Sequence, residues 1–287
     1  MAGIQTSTVQ MDDGVHLHVK LMGNDEKRPK PLLIAVHAAP GLVTLAEPEA
    51  AFAFLSDNFR VLVFDGRGSG ESDITGSYTH DRWIRDIDNL RRWAGAEKFV
   101  LAGHSYGGTI CLDYAVRHGD RLSGLILRNT WTHGIQLMMT ALAAVLTDPR
   151  LKVDVARQLR VWTGALRDDR DYEEAMPEIL PIYSPPGDSS SQMLQFAAYH
   201  SATQNFAFNH NMPRFDVRHQ LKDIKVPTLV IVGRHDLITP VVFSEEIARS
   251  IPDSSLAIFE HSGHNPAGDE SQKFQKTVLE FLTTSVL

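Results

Sequence analysis

Phe99-Val100-Leu101-Ala102-Gly103-His104-Ser105-Tyr106-Gly107-Gly108 is the stretch from which the rest of the chain can be read. Its first four residues are an unbroken apolar run, the pattern of a strand buried on both faces of a parallel sheet. Residues 108–118, directly behind it, have helix-like apolar spacing. Gly103-His104-Ser105-Tyr106-Gly107 therefore stands where a strand turns sharply into a helix, which is the context a nucleophile elbow needs. Such a turn strains the serine and lifts its oxygen to the top of the sheet, while the flanking glycines leave room where side chains would clash. A bare Gly-x-Ser-x-Gly recurs by chance, and the strand and helix on its two sides are what give this one meaning.

Outward from the elbow, the same alternation repeats. Apolar runs at residues 31–36, 60–64, 122–127, 228–232 and 255–259 read as further strands, and residues 5–11 and 15–21 flank Asp12-Asp13-Gly14 as a hairpin. Residues 45–55, 80–93, 108–118, 243–250 and 269–283 read as helices between them. Strand and helix in alternation predict a mostly parallel sheet with helices on both faces. Residues 24–30 read as a charged loop. The alternation lapses over 131–215, which reads as mostly helical and contains the loop Ser184-Pro185-Pro186-Gly187-Asp188-Ser189-Ser190-Ser191. Because strands resume afterwards, residues 1–130 and 216–287 are expected to form one core and 131–215 an inserted helical lid.

The composition narrows the function. Of 287 residues 43% are apolar and 22% charged, so the chain can build a large core. A formal net charge of -7 argues against nucleic acid as partner. The single cysteine, Cys111, cannot form an internal disulfide and reads as a buried small hydrophobe. The first ten residues are polar, without the apolar region of a signal peptide, and no run is long enough to span a membrane. The expectation is a soluble cytoplasmic protein with a small-molecule or short-peptide substrate and no membrane partner. Composition is silent on its oligomeric state. There is no Cys/His cluster with zinc spacing, and serine chemistry requires neither metal nor cofactor.

A serine is a weak nucleophile until a base takes its proton and a third group orients that base. Asp236 follows the run 228–232 in Gly233-Arg234-His235-Asp236, and His264 follows 255–259 in His261-Ser262-Gly263-His264-Asn265-Pro266. Both stand at strand C-termini, where α/β sheets gather their sites, in the order serine, acid, histidine. His235, His261 and Asp253 compete by proximity. His261, nearer the strand end, reads as structural, and Asp253 as a turn residue. Asn129, after 122–127, is neutral and cannot stabilise an imidazolium, which favours Asp236. An oxyanion hole needs one backbone N–H at the helix start, here Tyr106, and one from His37-Ala38-Ala39-Pro40-Gly41, with Ala39 the first choice and Ala38 the second. His37 reads as a support of that loop and is kept as a candidate substrate contact. Asp65-Gly66-Arg67-Gly68-Ser69-Gly70-Glu71-Ser72 lacks the Gly-Lys-Ser/Thr of a phosphate loop, so Asp65 and Arg67 are expected to make a structural ion pair or turn contact. Trp131, Met138, Met139, Trp162, Phe206 and Phe208 are candidates either for an apolar pocket or for core packing.

Together the elbow, the 65–72 segment, the histidine-proline loop and the Asp236/His264 spacing resemble the α/β-hydrolase superfamily over nearly the whole chain. The resemblance implies an α/β-hydrolase fold with an eight-stranded sheet and a lid after the sixth strand. His37–Gly41, Ser105-Tyr106-Gly107-Gly108 and the segment from Gly233 to Pro240 further resemble the proline iminopeptidase branch of serine peptidases, whose loop usually reads His-Gly-Gly-Pro-Gly. That implies a serine aminopeptidase, with an esterase or lactonase as the rival and a non-catalytic binding protein as a third reading. Ala38 and Ala39 depart from the loop glycines. The branch also holds the substrate's amino group with lid glutamates, one in Asn-Glu-Phe, where this chain has Gln204-Asn205-Phe206. A neutral amide anchors an ammonium less well than a carboxylate. The remaining lid acids, Glu173, Glu174 and Glu178, are candidates for that role or for a solvated helix face.

Overall fold

Each apolar run forms a strand, and among the described residues the strands build one eight-stranded sheet. The computed structural model describes residues 3–24, 30–187 and 192–286. Residues 25–29 of the charged loop and residues 188–191 of the serine-rich loop lie outside the described residues. The strands are β1 (Gly3–Gln10), β2 (His16–Asn24), β3 (Leu32–Val36), β4 (Arg60–Phe64), β5 (Phe99–His104), β6 (Leu122–Arg128), β7 (Thr228–Gly233) and β8 (Ser254–Phe259). Their order is β1-β2-β4-β3-β5-β6-β7-β8. β2 runs antiparallel to β1 and β4, and every other pairing is parallel. β3, β5 and β7 are buried at every residue, as continuous apolar sequences covered on both faces should be. The polar β1 takes the exposed edge.

Helices α1 (Ala46–Phe52), α2 (His80–Trp93) and α3 (Tyr106–His118) connect the first strands. The helix expected over 45–55 gives way after Phe52 to a tighter 3₁₀ turn, Ala53–Leu55. α2 starts where its sequence says it should: Thr79 accepts the Arg82 N–H, Asp81 stands in the first turn and Arg91 and Arg92 in the last, all favourable to the helix dipole. Between β6 and β7 the chain leaves the sheet for α4 (Gly134–Thr147), α5 (Val155–Thr163), α6 (Asp169–Ile179) and α7 (Ser201–Phe206). The fold closes with α8 (Val241–Ser250), α9 (Pro266–Asp269) and α10 (Ser271–Phe281), so the expected helix over 269–283 begins two residues later, behind the short α9.

The core has two parts. One cluster of buried side chains joins one sheet face to α2, α3 and the inserted helices, including Trp83, Tyr106, Trp131, Trp162 and Phe208. The other, with Phe52, Phe59, Phe274 and Phe281, covers the opposite face. Asp65 and Arg67 do not pair with each other. Arg67, with no exposed surface, donates to Asp86 at 2.6 and 2.8 Å and to Asp13 at 2.9 Å, tying the β1–β2 turn to α2. Asp65 instead accepts the Leu45 and Glu71 N–H groups at 2.6 and 2.9 Å.

Candidate active site

At the end of β5 the chain turns into α3 through Ser105, whose backbone is left-handed, with φ 53° and ψ -120°. A non-glycine residue there carries strain of roughly 1–3 kcal/mol, kept only where the surroundings impose it. Here they do. The Ser105 N–H donates to Arg128 C=O at 2.9 Å, and Ser105 C=O accepts from Thr130 Oγ1 at 2.8 Å. Gly107 is the glycine the turn cannot do without, since a Cβ on it would lie 2.2 Å from the His37 carbonyl oxygen. That contact presses the elbow against the histidine-proline loop.

Asp236 and His264 meet behind β7 and β8. His264 Nδ1 lies 2.7 Å from Asp236 Oδ2. Both are buried. Asp236 also accepts the N–H groups of Ile238 and Thr239 at 2.9 Å each, the Asn129 side-chain amide at 2.6 Å and the Thr239 hydroxyl. Burial alone would raise its pKa, but His264, Thr239 and Asn129 bring it down to about 2. Asp236 is therefore an acceptor at neutral pH, and the bond fixes the proton of a neutral His264 on Nδ1, leaving Nε2 as the basic nitrogen. Asn129, itself left-handed with φ 48°, thus stands beside the acid as a donor to it.

The backbone that carries His264 is held from two sides. Its N–H donates to Tyr183 C=O at 2.7 Å, and the Tyr183 ring meets the imidazole edge-on with centroids 5.2 Å apart. Its C=O lies 2.8 Å from His104 Nε2, the residue before the serine. His104 Nδ1 is 3.1 Å from Glu47 Oε1, and Glu47 is paired with Arg128 of β6. All three are buried. Burial would raise the Glu47 carboxyl, but Arg128 and His104 hold it down at about 2.

Ser105 borders a cavity. Its lining includes Ala39 and Tyr106 from the two loops and Trp131, Trp162, Gln204 and Phe208 from the insertion. Among the described residues, no acceptor meets the backbone N–H of Ala39 or of Tyr106. Ala38 is not among the described residues that line this space. With His37 and Pro40 it borders a separate small void under the loop.

The remaining residues singled out in the sequence lie elsewhere. His37 Nε2 accepts the Gly66 N–H at 3.0 Å, holding the loop to the segment after β4. Met138 is half-buried against the core. Glu173 and Glu174 are exposed on α6, with Glu174 paired to Arg157 and Arg170, and Glu178 is also bound by Arg157. The Asn205 amide both accepts from and donates to the Leu166 backbone at 2.8 Å. Phe206 packs against Tyr78 and His210. Of the residues singled out as substrate or pocket candidates, Trp131, Trp162 and Phe208 border the cavity among the described residues. Gln204, one residue before the asparagine singled out above, does so too, as do Leu42, Val161, Met176 and Ile179, which no motif marks.

The alpha/beta hydrolase fold profile matches residues 31–271. The proline iminopeptidase PfmaB of Pestalotiopsis fici is 30% identical, covering 94% of this chain and 97% of its own. A proline iminopeptidase of Saccharolobus solfataricus is 28% identical, covering 87% of this chain and 84% of its own. Among solved structures, a hydrolase from Pseudomonas aeruginosa PA01 superposes with a TM-score of 0.74 at 27% identity, covering 97% of this chain and 98% of that one. No helix among the described residues is long and apolar enough to cross a membrane.

Proposed function

The chain belongs to the α/β-hydrolase family, and on that premise we propose that it cleaves an ester or amide through an acyl-enzyme, with Ser105 as nucleophile, His264 as base and Asp236 as the group that orients it. The observation that carries this is the strained Ser105 bordering the cavity at the mouth of the elbow. Ser105 Oγ bonds to the substrate's carbonyl carbon as its proton passes to His264 Nε2, and the oxyanion lies between the Ala39 and Tyr106 N–H groups. Collapse breaks the bond to the leaving group, which takes the proton from His264. Water then adds to the acyl carbon with His264 again as base, releasing the acid and restoring Ser105. Asp236, ionised throughout, stabilises the imidazolium formed in each half. Residues 131–215 act as the lid over this chemistry.

The acyl group has two readings. The relatives' names favour the amide of an N-terminal residue, as a proline iminopeptidase-like enzyme would take. The cavity favours an ester or lactone, because no carboxylate is among its described lining residues. Turnover of proline and alanine arylamides against short aryl esters separates the two readings, with Ser105→Ala as control. Near-native activity in that variant would remove Ser105 from its role.

A further inference from the structure

Three residues that line the cavity each carry a buried polar atom with no partner among the described residues: Trp131 Nε1, Trp162 Nε1 and Gln204 Oε1. The residues are buried, with 2, 4 and 2% of their surface exposed. A buried N–H or C=O left unpaired costs about 1–3 kcal/mol, so such groups are rare unless something else meets them. Here two are donors and one an acceptor. All three residues line the cavity that Ser105 borders.

Every described side chain lining this cavity is neutral. Tyr106 and Tyr172 stay protonated, since burial pushes both hydroxyls up. The acids that could have held a substrate ammonium do not line the cavity: Glu174 and Glu178 are bound by Arg157, the buried Asp171 by Arg160 and Arg167, and Glu173 is exposed on α6. Asn205, at the position where the iminopeptidase branch has a glutamate, spends its amide on the Leu166 backbone. An ammonium entering this space would lose its water without gaining a counter-charge, a far greater penalty than burying a neutral polar group.

We propose that the acyl pocket takes a neutral acyl group with an apolar body and a hydroxyl, the hydroxyl accepting from a tryptophan N–H and donating to Gln204 Oε1. A hydroxyl is the small group that both accepts and donates, and so it meets both kinds of vacant partner at once. This rests on the acyl-transfer reading given above. It assigns Gln204, Trp131 and Trp162 to specificity and sets this chain apart from enzymes that grip an N-terminal amine.

The test uses the full chain and two matched sets of naphthyl esters. Proline and cyclopentanecarboxylate differ by a ring ammonium against a methylene. The neutral ester is expected to have the higher kcat/KM by about 100-fold or more at pH 7, the scale of an unpaired buried charge. Phenylpropanoate and its ortho, meta and para hydroxy isomers form the second set. At least one isomer should exceed the parent by roughly 5–10-fold, the scale of one hydrogen bond. That ratio, rather than the absolute rate, should fall toward one in Gln204→Leu and in Trp162→Phe, which keeps an aromatic ring but removes the N–H. Equal or better turnover of the proline ester overturns the neutral pocket. No hydroxy isomer above the parent, or a ratio untouched in both variants, overturns the polar contacts. Labelling by a fluorophosphonate, run in parallel, tells which layer has failed: a labelled enzyme with the wrong preference refutes this inference alone, and an enzyme that neither labels nor turns over any ester refutes the hydrolase reading as well.

Discussion

Replacing Arg128 by methionine should reverse how one buried carboxylate responds to pH. Arg128 holds Glu47 beneath the elbow, where both are buried. In the native protein burial pushes the Glu47 carboxyl up, and Arg128 and His104 more than offset this, bringing it from 4.5 to about 2. A folded-state pKa below the unfolded one contributes stability that is fully present above pH 4.5 and is lost as pH falls toward 2. That shift amounts to about 3 kcal/mol. Without Arg128, burial prevails and the carboxyl rises above its ordinary value. Its contribution then has the opposite sign, present at low pH and lost as pH rises. At pH 7 the variant should be less stable by about 3–5 kcal/mol, as when one partner of a buried pair is removed. The melting temperature should drop by roughly 6–10 °C in a chain of this size. Urea unfolding of both proteins between pH 4.5 and 7.5 measures the gap, which should narrow steadily toward the acid end. A gap that does not change with pH would mean that Arg128 acts by packing on Phe52 and Phe274, whose rings lie 6.0 and 5.6 Å from its guanidinium carbon. Holding Glu47 ionised would then not be its role.

Asp236→Asn should lower kcat by about 10³–10⁴-fold, since the amide cannot hold His264 in its working tautomer or stabilise its charge, and should also lower the melting temperature, because its NH2 must face one of the donors that Asp236 now accepts from; steady-state kinetics beside circular dichroism below the variant's melting point would show both. Asn205→Ala removes both bonds to the Leu166 backbone, so about 1–3 kcal/mol should be lost in urea unfolding. For the same reason Asn205→Glu should fail to confer activity on N-terminal proline arylamides. Gly107→Ala puts a methyl into the His37 carbonyl, and either the soluble yield or the kcat should collapse.

Much of this architecture is legible in residue order because its signals are local. Apolar runs bounded by turn residues locate the strands to within three residues at each end. The proposed nucleophile, acid and histidine each follow a recognisable strand, so these candidates can be named without knowing the fold in three dimensions. What the sequence does not yield is determined by pairings across distance. Asn129 is legible as a neutral amide unfit to be the acid, but that it donates to Asp236, 107 residues away, depends on β6 and β7 lying side by side. The Glu47–His104–Arg128 cluster unites three separate elements and carries no motif. The insertion is hardest, because its helices bury one face and expose the other, and spacing does not say which neighbour receives the buried one. Asn205 draws attention through a family pattern, yet the helix aims its amide at Leu166, while Gln204, one residue earlier, borders the cavity.

The central claim is that Ser105 is the nucleophile. Its most direct measurement is the intact mass and peptide map of the protein after reaction with a fluorophosphonate. One adduct per chain, on the peptide carrying Ser105 and absent from Ser105→Ala together with ester turnover, is the expected result. An adduct on another residue, or turnover that survives in Ser105→Ala, would contradict it.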